Sequence, residues 1–166
     1  VVGKVTVPKP DHVIVYIETV AGSYPATKAK IDQQNKVFTP FVLPVVQGST
    51  VEFHNSDNLA HNVMGVGGDE FNLGSFSKDA VREHTFNKRG DVSLLCNIHP
   101  EMEAHVLVLQ NPYFSKPGAD GKFRIANAPP GDGAAPVRRN RFGRRNPMGQ
   151  TIQLTASDGH KFSAYV

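Results

Sequence analysis

Tryptophan is missing from this 166-residue chain, cysteine occurs once and methionine three times. No apolar run approaches the roughly 18 residues of a membrane span. The single cysteine, Cys96, excludes an internal disulfide framework. A lone cysteine in an exported protein is a free thiol, an intermolecular bridge or a metal ligand. Catalytic signatures are lacking too. There is no G-x-S-x-G elbow, H-E-x-x-H motif, Walker loop or G-x-G-x-x-G turn, so the chain is not expected to be an enzyme. No segment has a convincing helical period, and no repeat or coiled-coil pattern is present. Nor does a basic leader open the chain: Val1 runs straight into a strand-like pattern, as expected of a processed or trimmed form.

What is present is the material of strands and turns. Glycine and proline are abundant, at 15 and 12, and apolar residues come in short runs, which predicts an all-β fold. Residues 2–7 and 12–17 read as strands around the turn Pro8-Lys9-Pro10. In the second, Val13, Val15 and Ile17 share one face and Ile14 and Tyr16 the other, as in a strand buried on both sides. Residues 36–38 and 41–46 follow, confined to edges or bends by Pro40 and Pro44. Over 50–54, Val51 and Phe53 alternate with Glu52 and His54. Residues 55–68 read as a long loop carrying His61. Segments 80–86 and 91–96 read as strands joined by a hairpin-like connection at 87–90, and 104–109 as a closing strand.

The length suits one domain with a good core, or one domain with a small appendage. Asn111-Pro112 marks the expected boundary between a domain over 1–111 and a β-rich extension over 112–166, ending in a hairpin of 151–156 with 161–166. Strands before Val20 could instead pair with the extension. The two parts differ electrostatically. Residues 1–111 hold 9 Lys and Arg against 12 Asp and Glu, a net −3, whereas 112–166 hold 9 against 3, a net +6. Five of the latter positive charges are Arg138, Arg139, Arg141, Arg144 and Arg145. With one neighbouring aromatic, Phe142, and no nucleic-acid motif, this stretch reads as a solvated loop or a patch for an acidic partner, not a nucleic-acid site.

Chemistry concentrates in Cys96-Asn97-Ile98-His99-Pro100-Glu101-Met102. The C-x2-H-x2-M spacing brings a thiolate, an imidazole and a thioether together, donors that suit copper. A blue-copper site needs a second histidine, and His61 is the natural candidate. Taken singly, Cys96 could be a buried thiol, Met102 a packing residue and His61 a loop histidine; it is the set that points to a metal. His12, His54 and His84 are expected to be solvated. His105 reads as a strand histidine near the loop, with a supplementary or second metal site as the alternative.

The pairing of His61-Asn62-Val63 with the Cys96–Met102 loop resembles the cupredoxins, the plastocyanin and amicyanin family, over about residues 33–110. The short ligand loop is similar to that of amicyanin. The resemblance implies a Greek-key β-sandwich holding one type 1 copper ion on His61, Cys96, His99 and Met102. Asn62 would brace the ligand loops, its backbone N–H bonded to the thiolate. The His99 ring edge would break the surface as the electron port, beside a cytochrome or a copper- or cofactor-containing oxidoreductase. Glu101 and Glu103 put negative charge near that port and weigh against an acidic partner there, unless the arginine-rich stretch does the docking. The implied function is one-electron transfer in a bacterial periplasm. Copper sequestration, delivery or sensing is the first alternative, though such sites favour more Met and His. An envelope interaction module with a secondary copper site is the other. Separately, the segment 121–131 is similar to part of the prealbumin-like sandwich of carboxypeptidase regulatory domains.

Overall fold

The computed structural model describes residues 1–6, 9, 12–129, 151–155 and 161–165. The arginine-rich stretch 138–145 lies outside them. Among the described residues the chain is all-β. Its strands are β1 (Val2–Lys4), β2 (Ile14–Ile17), β3 (Lys28–Gln34), β4 (Val37–Thr39), β5 (Val42–Val46), β6 (Thr50–Asn55), β7 (His61–Val66) and β8 (Phe71–Phe76). They continue as β9 (Val81–Thr85), β10 (Gly90–Leu95), β11 (Glu103–Leu109), β12 (Phe114–Ser115), β13 (Lys122–Arg124), β14 (Thr151–Thr155) and β15 (Lys161–Tyr165). No helix among the described residues is long and apolar enough to cross a membrane. The strands fall into two compact units, Ser23–Pro112 and Val1–Gly22 with Tyr113–Val166.

The Ser23–Pro112 unit is a two-sheet sandwich. One sheet runs β5-β11-β10-β7-β8 and the other β4-β3-β6-β9. Period-two alternation supplies the common core: Val51, Phe53 and Asn55 of β6 point inward while Thr50, Glu52 and His54 point out. Ile31, Phe38, Phe53 and Phe86 of one layer pack with Val63, Phe76, Leu94 and Val106 of the other. Burying each such side chain contributes about 1.5–3 kcal/mol, and together they supply most of the unit's cohesion.

Two expectations need correction here. The loop predicted over 55–68 is half strand: Asn55 ends β6 and His61–Val66 form β7, where His61, Asn62 and Val63 are all buried. Polar residues hid the strand: they face a site rather than water. Residues 80–86 and 91–96 do form strands, yet they do not form a hairpin. β9 pairs with β6, and β10 with β7 and β11, so the connection at 87–90 crosses from sheet to sheet. Phe86, fully buried, ties the connection to the core, and Asp69 Oδ2 accepts from the Asn87 amide at 2.7 Å.

The second unit contains a four-stranded sheet, β12-β2-β15-β14, and the ribbon β1-β13. β2 is buried on both sides, with Ile14 and Val15 at 1% and 0% exposed, as its sequence predicts. The hairpin expected near the C-terminus is present as β14 against β15. Residues 1–22 group with Tyr113–Val166 in one unit. The reason is β2, which pairs with β12 on one side and β15 on the other.

Candidate metal centre

The site begins with the connection between β6 and β7. Asn55, 1% exposed, ends β6, and its amide nitrogen donates to the carbonyls of Leu59 and Phe76 at 2.8 and 3.0 Å. Its Oδ1 accepts from the Asp57 amide at 2.9 Å. These bonds fix a tight connection that delivers His61 as the first residue of β7.

Asp57 then holds His61 from behind. Its Oδ2 lies 2.7 Å from His61 Nε2. The same carboxylate accepts from the amides of Asn35 and Lys36 at 2.7 and 2.9 Å. Those two residues form the turn between β3 and β4, both in the left-handed region with φ of 55° and 58°, as a type I′ hairpin demands. Burial pushes the Asp57 carboxyl up, but the Lys36 amide, the His61 ring and the Asn35 amide outweigh it and hold the group below the usual carboxylate range. An ionised Asp57 only accepts, so His61 Nε2 carries the proton and a neutral ring leaves Nδ1 bare. A carboxylate orienting an imidazole in this way is the common support of a metal-ligating histidine.

Cys96 follows β10 directly, and the turn after it is closed by the Met102 amide donating to His99 O at 3.0 Å. His61 Nδ1 and His99 Nδ1 stand 3.0 Å apart, and Cys96 Sγ is 3.9 Å from His99 Nδ1. All three donor atoms lie within 4.8 Å of one another. Donor atoms this close together can converge on a single ion. Two imidazoles and a thiol with bare or ionisable donors converging on one point fit a soft or borderline metal such as copper.

Of the residues the sequence singled out, the structure brings His61, Cys96 and His99 together. His61 is fully buried and His99 half-buried. The Asn62 amide points at Cys96 Sγ at 3.4 Å, and its side chain donates to Asn72 Oδ1 at 2.9 Å. Met102 sits in the same buried cluster as Cys96. His105 stands apart: it is 3% exposed, with Nδ1 3.2 Å from Asp91 Oδ1 and an edge contact to Phe41. His84 is not solvated as expected but stacks on Phe71 at 3.9 Å. Asp57 and Asn55 were missed by sequence reasoning. The available signal was a carboxylate four residues before His61, the spacing at which it meets the ring.

No family model and no curated protein matches the chain. Among solved structures it is similar to a purple cupredoxin from Nitrosopumilus maritimus, at 25% identity over 48% of this chain and 98% of that one, with a TM-score of 0.44. A mutant of amicyanin in its reduced Cu(I) form matches at 25% identity over 55% of this chain and 86% of that one, with a TM-score of 0.45. A copper-containing nitrite reductase from Thermus scotoductus SA-01 matches at 24% identity and a TM-score of 0.46; the alignment covers 66% of this chain and only 26% of the reductase.

Proposed function

We propose that the chain is a type 1 copper protein that carries single electrons between redox partners and is not itself an enzyme. One observation carries this reading: two histidine Nδ1 atoms and a cysteine sulfur converge within 4.8 Å. His61, Cys96 and His99 would hold the ion, and Met102 would complete the set. When bound, copper in such a set supplies a Cu(II)/Cu(I) couple that needs little rearrangement.

The chain's own residues do the rest. Asp57 locks the His61 ring by a hydrogen bond to a charged acceptor, the stronger kind. The Asn62 amide offers a donor to the Cys96 sulfur. The buried cluster around Cys96 and Met102 excludes water. His99 is the half-buried member, and its neighbour Ile98 is 46% exposed, giving the imidazole an apolar surround at the surface. That edge is the proposed port for a cytochrome or a copper- or cofactor-containing oxidoreductase. The five arginines between 138 and 145 would attract an acidic partner face. Export to a bacterial periplasm fits the lone free thiol and this partner class. We also carry the likeness of 121–131 to carboxypeptidase regulatory domains as part of this reading.

Cyclic voltammetry of the copper-loaded chain tests it. A carrier gives one reversible one-electron wave with no metal lost on repeated cycling. Release of Cu(I) to a chelator on reduction would replace the carrier role with copper delivery.

A further inference from the structure

Cations gather at one place in the unit formed by Val1–Gly22 and Tyr113–Val166. A shallow groove of about 700 Å³ runs along the β1–β13 ribbon, with the exposed Lys4, Lys116, Lys122 and Arg124 on its rim; Val2 and Phe123 also line it. Among the described residues, Lys122 is neutralised by Asp120 Oδ2 at 2.9 Å. Among the described residues no carboxylate pairs with Lys4, Lys116 or Arg124, so the rim keeps a net +3. Phe123 lies against the strand backbone because position 3 is glycine: a Cβ there would stand 2.7 Å from the ring.

The backbone adds a second feature. Among the described residues β1 has one neighbour, β13. Val1 exchanges both hydrogen bonds with Ile125, at 2.8 and 2.7 Å, and the Val5 amide donates to Gly121 O at 2.9 Å. Bonded residues alternate along an antiparallel pair, so Gly3 also faces β13. The N–H and C=O groups of Val2 and Lys4 therefore face the open edge, where Val2 is 74% exposed. Edges of this kind are usually covered, bulged or broken by proline; here the charge of Lys4 is the guard. A like-charged strand is repelled by it and an acidic one is attracted.

We propose that this edge takes up an acidic, extended segment of another protein by strand addition. Main-chain bonds to Val2 and Lys4 would give affinity, as in other β-augmentation sites. Paired residues share a face, so Val2, Lys4, Lys122 and Arg124 lie together on one side of the ribbon, and alternate side chains of the added strand would present carboxylates to Lys4 and Arg124 there. The site does not depend on copper and stands or falls separately from the metal centre.

Fluorescence anisotropy on the full chain tests the proposal, with a labelled Glu-Val-Glu-Val-Glu-Val peptide and the same peptide N-methylated at every residue. The two carry equal charge, but the second has no backbone N–H to donate along either edge. The plain peptide should bind at least tenfold more tightly, and Lys4→Glu or Arg124→Glu should weaken it at least tenfold. Lys88→Glu, an exposed change in the other unit, should leave binding alone. The peptide comparison uses the unaltered chain, so it needs no variant to fold. Equal binding of both peptides would reduce the groove to a charged patch and overturn strand addition. Tighter binding of dextran sulfate than of the plain peptide would reassign it to an anionic polysaccharide, and failure of the plain peptide to bind would also refute it.

Discussion

Asp57 ties three parts of the sandwich together: the β3–β4 turn, the β6–β7 connection and the ring of His61. Asp57→Asn keeps the shape but removes the charge that anchors the imidazole. Copper affinity should fall by about 10–100-fold, the usual cost of losing such a support; a chelator competition titration reads it, and an unchanged affinity would show that packing alone orients the ring. His84 offers a separate pH signature. Burial lowers its pKa, and the opposing pull of Asp69 does not restore it. The unfolded chain thus binds this proton more readily than the folded one. The stability tied to the neutral ring is complete above the ordinary histidine value, about 6.5, and is lost as pH falls through the folded value. Urea midpoints should decline from pH 7 to 5 more steeply in the native chain than in His84→Gln, and parallel declines would exclude His84 as the cause. The convergence of Cys96 and His99 was legible in the sequence because their spacing is local. Asp57 was not, because its importance comes from Asn35 and Lys36, more than twenty positions away.

Strands with regular apolar positions announced themselves: β6 buries one face and β11 both. β3, β7 and β8 were not read as strands, for physical reasons. β3 presents Lys28, Lys30 and Asp32, half-buried or exposed, around the buried Ile31, so its composition looks like a loop. β7 spends two buried positions on His61 and Asn62, and β8 is broken by Gly74 in the left-handed region at φ 72°. Gly65 in β7 shows how tightly these elements fit. A Cβ there would press into the Phe71 ring, which is itself stacked on His84 and edge-on to Phe86. Gly65→Ala should cost about 1–3 kcal/mol, the range for overpacking a filled core. Denaturant unfolding measures it, and a neutral result would mean that the ring can swing aside freely.

At the scale of the whole molecule, the two units divide charge as well as structure. Ser23–Pro112 holds 7 Lys and Arg against 10 Asp and Glu, a net −3, and the remainder 11 against 5, a net +6. The asymmetry was visible from composition. The membership of residues 1–22 was not, since pairing of β2 with β12 and β15 links segments about a hundred and more positions apart. All residues of the candidate centre, and the whole core cluster around it, belong to Ser23–Pro112. A fragment of 23–112 should therefore fold cooperatively and take up one equivalent of copper; a fragment that binds none while the full chain does would show that the second unit completes the site.

The central claim is a thiolate-bound copper, and the visible and EPR spectrum after adding one equivalent of Cu(II), repeated on Cys96→Ser, tests it most directly. An intense sulfur-to-copper absorption with narrow copper hyperfine splitting, lost in the variant, is the predicted result. A weak, ordinary cupric spectrum that survives the substitution would contradict the account.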